Sequence, residues 1–179
     1  MILVVLAHPY PLRSRACATL VEAIRDYPEL EVRSLYDLYP DFDVDRAAEQ
    51  AALTRARLVV WLHPIFWYTT PALMKHWFEE VLVRGFAYGP GGDALRGKDV
   101  LWATTTGGDD TAYSSEGRHK HRFEAFAPVV EQTARYCGMN WLAPFAVHGA
   151  HEVDAESLAA SGRELRARLE AWRAMAKDA

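Results

Sequence analysis

The chain has 179 residues, half of them hydrophobic and 12% aromatic, a length that suits one domain spanning 1–179 and a composition that excludes disorder. A net charge of -4 with no basic stripe argues against nucleic acid as a partner. Two cysteines, Cys17 and Cys137, make no disulfide framework and fit a reducing, cytoplasmic setting.

Met1 to Ala7 is apolar but short and has no basic stretch before it, so it reads as neither signal peptide nor membrane span. Ile2 to Ala7 instead reads as a strand covered on both faces. Ser14 to Asp26 follows with helical spacing at Ala16, Leu20, Ala23 and Ile24. Glu31 to Leu35 reads as a strand, Asp43 to Arg55 as a helix and Leu58 to Leu62 as a buried strand. Thr70-Pro71 predicts an N-cap with proline at the first helical position. The helix it opens carries Leu73, Met74, Trp77, Phe78, Val81 and Leu82, a stripe too broad for one core face, which fits a homodimer seam, with simple core as the plainer alternative. Val100 to Thr105 is a fourth strand, Phe123 to Tyr136 a helix, Trp141 to Val147 a fifth strand and Ala155 to Trp172 a closing helix. This alternation predicts a three-layer α/β fold with a parallel sheet, whose ligands sit beyond the carboxyl ends of the strands.

Three loops leave those ends. The first carries His8, Ser14, Arg15, Ala16 and Cys17. Ser14 can cap the helix, and the free amides behind it favour a phosphate, although an ordinary capped helix explains the same residues. The glycine fingerprint of a dinucleotide site is absent. In the second loop, Ile65, Phe66, Trp67 and Tyr68 offer a wall for a flat ring system, or else core or a subunit contact. In the third, Thr105, Thr106, Gly107 and Gly108 offer amides to negative charge, or merely a turn. Histidines 119, 121, 148 and 151 lack a metal-binding frame, so no metal is expected. Cys17, in a helix's first turn, is a candidate for a lowered thiol pKa, with a small residue beside the phosphate as the plainer explanation.

Several stretches go beyond general fold requirements. They are Ala7-His8-Pro9-Tyr10-Pro11, Tyr39-Pro40-Asp41-Phe42, His63-Pro64, Trp67-Tyr68, Phe86-Ala87-Tyr88-Gly89, Thr105-Thr106-Gly107-Gly108 and Tyr136-Cys137-Gly138. Together they resemble the flavodoxin-like NAD(P)H:quinone oxidoreductase family over almost the whole chain, and in particular the ancillary subunits of bacterial glutathione-gated potassium-efflux systems. The resemblance implies a five-stranded sheet of order 2-1-3-4-5 with helices on both faces. It implies a flavin phosphate on His8, Ser14, Arg15, Ala16 and Cys17, the isoalloxazine on Ile65, Phe66, Trp67 and Tyr68, and its pyrimidine side on Thr105, Thr106, Gly107 and Gly108. It also implies catalytic roles for Tyr113 and His119, which match a family pattern of Tyr followed six positions later by His. Phe66 departs from the Gln usual there. FMN is expected rather than FAD, because the C-terminal extension of the FAD-using animal enzymes is not seen.

The activity implied is two-step hydride transfer from NAD(P)H through FMN to a quinone or similar small acceptor, in a homodimer. The rival of another class is a non-catalytic, flavin-bearing regulatory subunit docked on a membrane potassium-efflux transporter. Both place the protein in the cytoplasm, the second at the inner face of the membrane through its partner. A third reading, an electron-transfer flavodoxin, is disfavoured by the Tyr113/His119 pair and by the lack of a strongly acidic face.

Overall fold

In the computed structural model, which describes residues 1–177, the first apolar run forms β1 (Ile2–Leu6). Its side chains alternate between two layers, as a pleated strand requires: Leu3 and Val5 join one core, Ile2 and Val4 the other. β2 (Leu30–Ser34) lies half-buried at the sheet edge. β3 (Leu58–Pro64) and β4 (Asp99–Thr105) repeat the two-sided pattern, with Trp61 and Trp102 on one side and Val60 and Leu101 on the other. Strands buried on both faces have no polar face, hence the unbroken apolar runs. With β5 (Asn140–Trp141), the parallel order is β2-β1-β3-β4-β5, and β6 (Phe145–Val147) pairs with β4 farther along. The flavodoxin-like order is therefore present.

α1 (Arg15–Ile24) and α6 (Ala155–Lys177) cover one face, burying Leu20 and Ile24 against Leu165 and Leu169. Gly162 permits their close approach, since a Cβ there would meet the Ala23 Cβ at 2.8 Å. α2 (Leu35–Leu38), α3 (Arg46–Arg55), α4 (Ala72–Val81) and α5 (Ala127–Tyr136) cover the other face.

Several local expectations need correction. Pro71 itself is the N-cap of α4, so the helix begins at Ala72, and the buried Thr70 hydroxyl caps nothing among the described residues. Leu35 opens α2 instead of ending a strand. Asp45 caps α3 by accepting from the Ala48 amide, which delays that helix to Arg46. The segment from Phe123 starts as a 3-10 turn to Phe126 before α5 begins. The fifth strand is split into β5 and β6; the break includes Pro144, which has no N–H for a ladder. The stripe from Leu73 to Leu82 is core: all six residues are buried within the chain, in the layer that holds Trp61, Leu35 and Ala52, and only Phe78 and Leu82 reach a groove beside α5.

One charged group lies inside that second layer. Glu49 is fully buried, accepting from Arg33 Nε at 2.6 Å, from the Tyr39 hydroxyl at 2.6 Å and from Trp77 Nε1 at 2.9 Å. Burial, reinforced by the Glu49 carboxylate, pushes the Tyr39 phenol up to about 12. This cluster gives the Tyr39-Pro40-Asp41-Phe42 segment a structural reason: Tyr39 locks α3, and the turn beyond it places the Phe42 carbonyl to accept from His76 Nε2 at 3.0 Å. Replacing Glu49 by Ala strands three buried donors. Urea denaturation should show a loss of roughly 3–5 kcal/mol, the range for breaking a buried ion pair from one side.

Candidate functional site

β1, β3 and β4 end at one edge in register, with Leu6 beside Leu62 and Pro64 beside Thr105. The three loops leaving that edge meet there.

In the first loop a 3-10 turn (Pro11–Arg13) delivers Ser14 to the N-cap of α1. The Ser14 hydroxyl does not cap the helix, contrary to expectation. It is buried, with no hydrogen-bond partner among the described residues. The amides of Arg15, Ala16 and Cys17 fall in the first turn, where a helix offers no acceptor. His8 Nδ1 accepts from the Tyr10 amide at 3.1 Å, so in the neutral ring Nε2 carries the proton. Burial, with His151 nearby, holds the His8 pKa below its ordinary 6.5. Arg15 is already engaged, donating to the carbonyls of His151 and Val153. Cys17 is not an activated thiol: it is buried, which pushes its pKa up.

The second loop is a tight reversal in which Phe66 and Thr69 exchange backbone hydrogen bonds of 3.0 and 3.1 Å. Trp67 and Tyr68 take the turn with φ of 49° and 65°, strain that side-chain-bearing residues rarely accept. The turn leaves Trp67 92% exposed, so these rings are not core. Tyr68 stacks on Phe126 at 5.2 Å and meets the His119 ring edge-on at 5.5 Å. The Phe66 amide is spent inside the turn.

In the third loop, Thr106 donates from its amide to Val147, and Ala150 donates to the Thr106 carbonyl. The amides of Gly107, Gly108 and Asp109 have no acceptor among the described residues. Gly108 has to be small: a Cβ would lie 3.0 Å from His119 Nε2 and 3.1 Å from the Ala112 Cβ. Tyr113 and His119 come together as expected, with ring centroids 4.4 Å apart. Burial raises the Tyr113 pKa and keeps its hydroxyl protonated at neutral pH. Both His119 ring nitrogens are buried with no partner among the described residues.

Two adjoining cavities result. One of about 440 Å³ is lined by His8, Ser14, Cys17, Phe66 and Thr105. The other, about 340 Å³, is lined by Trp67, Tyr68, Gly108, Tyr113 and His119. Ile65, Gly107 and His151 border both, which makes one trough. Every residue named for the site from the sequence lines this trough, Thr106 among them although it is mostly covered. His151 and Arg118 were missed. They lie in loops whose reach to the trough depends on folding, and only the position of His151 beyond a carboxyl strand end hints at it.

The family model for the flavodoxin-like fold, Flavodoxin_2, matches residues 1–169. The chain belongs to that family. The glutathione-regulated potassium-efflux system ancillary protein KefF of Citrobacter koseri is 49% identical over 172 residues, 96% of this chain and 97% of its own. The crystal structure of general stress protein 14 from Treponema denticola, in complex with FMN, is 33% identical, with a TM-score of 0.90 over 95% of this chain and 98% of that one. A structure described as a thermophilic tryptophan halogenase from Streptomycin violaceusniger is 30% identical, with a TM-score of 0.88 over 92% of this chain and 95% of that one. This flavodoxin-like chain therefore shares its architecture with proteins of differing names.

The edge is held by a neutral histidine. His63, fully buried, donates from Nδ1 to the Pro64 carbonyl and accepts from Trp102 Nε1 at Nε2, both at 2.9 Å. Burial lowers its pKa from 6.5 to about 4. Below pH 6.5 the unfolded chain takes up a proton that folded His63 refuses, so stability falls with pH until about pH 4. The contribution lost is roughly 3 kcal/mol at 1.36 kcal/mol per unit. Denaturation curves across this window should show a shallower decline for His63→Gln than for the wild type.

Proposed function

We propose that this chain binds FMN in the trough and passes two electrons from NAD(P)H to a quinone or similar small acceptor. The observation that carries this reading is the set of unpartnered polar groups lining one continuous trough. The Ser14 hydroxyl, the first-turn amides of α1 and His8 Nε2 suit a phosphate at the larger cavity. The unpaired amides of Gly107 and Gly108 suit the electron-rich edge of a flat heterocycle. Ile65 and Phe66 flank the space between. FMN, when bound, supplies hydride acceptance and donation.

The chain's own residues do the rest. The smaller cavity, open beside Trp67 and Tyr68, receives nicotinamide and then the acceptor in turn. Reduction of a quinone consumes a hydride and a proton. Tyr113 donates a hydrogen bond to the acceptor oxygen, and the unpartnered His119 ring supplies the proton. The FMN-bound Treponema protein supports the choice of cofactor. The halogenase name does not alter the reading, which rests on the unpartnered groups of the trough and not on a neighbour's label.

The name of the Citrobacter relative favours a second role alongside the first: docking on a potassium-efflux transporter from the cytoplasmic side. Among the described residues no helix is long and apolar enough to cross a membrane, so such docking would run through the partner. We propose a homodimer contact at the groove of about 390 Å³ between α4 and α5, floored by Phe78 and Leu82 of the α4 stripe, where Val129 and Tyr136 are exposed. A Tyr113→Phe, His119→Ala double variant should retain FMN and lose about 100-fold or more in NADPH:quinone turnover, within the usual span of acid–base contributions. Unchanged turnover removes both residues from the mechanism.

A further inference from the structure

His148, just beyond β6, stands outside the groups assigned so far. Its side chain is 18% exposed and wedged between the rings of Tyr113 and Phe123, at 5.4 and 5.1 Å. Its Nδ1 lies 2.9 Å from Thr106 Oγ1, and its Nε2 faces Asp110 Oδ1 at 3.4 Å. Thr106, 1% exposed, donates its hydroxyl proton to the Gly108 carbonyl at 2.7 Å. A hydroxyl has one proton to give. With that proton committed to Gly108, the bond between His148 and Thr106 is donated by Nδ1, and Nε2 can donate to Asp110 at the same time only when the ring carries both protons.

The Gly108 carbonyl also accepts from the Gly149 amide at 2.8 Å. Two donors therefore fix the direction of the peptide joining Gly108 to Asp109. In a trans peptide the N–H points opposite to the C=O. The Asp109 amide is thus held away from Thr106 and Gly149, and the Thr106–Gly108 bond closes a turn that carries the unpaired amides of Gly107 and Gly108, both of which line the trough. Without the His148 proton, the Thr106 hydroxyl is free to rotate and abandon Gly108.

We propose that His148 is a positioning residue that works through Thr106 as a two-bond latch, setting the Gly107 and Gly108 amides so that they stabilise negative charge on the bound cofactor. The inference rests on the FMN reading above. Its signature is differential. A merely structural histidine, when lost, weakens oxidised and reduced FMN alike. Loss of the latch weakens the more negative, reduced form more, and so lowers the potential of the bound flavin.

The test uses the full chain reconstituted with FMN, reading both the affinity for oxidised FMN and the midpoint potential. His148→Leu should lower the potential by about 30 mV, equivalent to a tenfold selective loss of affinity for reduced FMN in a two-electron couple. His148→Asn, which keeps a donor near the place of Nδ1, should stay close to the wild type. Thr106→Val should match His148→Leu, and the double variant should fall no further, because both changes break one unit. If His148→Leu fails to fold, Thr106→Val carries the same expectation. A wild-type potential in His148→Leu or in Thr106→Val, or an equal fall in His148→Asn, overturns the latch while leaving FMN binding intact. A wild-type protein that binds no FMN overturns the FMN reading itself, and the latch with it.

Discussion

β1, β3 and β4 run parallel with matched ends, so three connections must leave one edge where the hydrogen-bond ladder has stopped. Backbone groups there need partners that the sheet no longer provides. Much of the need is met between the loops: Ile65 donates to Thr105, Thr106 to Val147, Gly149 to Gly108 and Ala150 to Thr106. What stays unmet among the described residues is concentrated in the trough: the buried Ser14 hydroxyl and both buried His119 ring nitrogens, with the less covered amides of Gly107 and Gly108 beside them. Each buried unsatisfied group costs roughly 1–3 kcal/mol. A bound anion with a polar ring attached would remove much of that cost, which is what makes the edge that ends the sheet a candidate binding site.

The second loop adds strain to this cost. Two consecutive aromatic residues at positive φ, Trp67 and Tyr68, are held by the Phe66–Thr69 pair of backbone bonds and by Tyr68 stacking on Phe126. The offset comes from the layers beneath. Trp61, Trp77 and Trp102 are buried within the α3–α5 side, where Glu49 ties β2, α2 and α4 together. The geometry of the trough thus depends on a support that lies outside it.

The sheet was legible because strands covered on both faces cannot avoid unbroken apolar runs, as in Ile2 to Leu6 and Leu58 to Leu62. The three loops followed from the strand ends, and the proximity of Tyr113 to His119 followed from the family resemblance. Other features depend on context that a single sequence does not carry. The stripe from Leu73 to Leu82 looked too broad for a core because the layer it meets, with Trp61 and Ala52, is invisible in the helix's own pattern. Nothing in Glu49 marks it as a buried acceptor, since its donors Arg33, Tyr39 and Trp77 are scattered along the chain. Ser14 read as a cap by residue type, yet its hydroxyl is left free. His148 and His151 reach the site only because β6 brings the end of the fifth strand position beside β4.

The account stands or falls on whether the trough carries electrons through a flavin. The direct measurement is an anaerobic absorbance titration of the FMN-loaded protein with NADPH, followed by one equivalent of a quinone. The account predicts that about one equivalent of NADPH bleaches the flavin's visible band and that the quinone restores it. A protein that holds FMN unchanged in the presence of excess NADPH would contradict the reductase reading, and one that cannot be loaded with FMN at all would contradict the site.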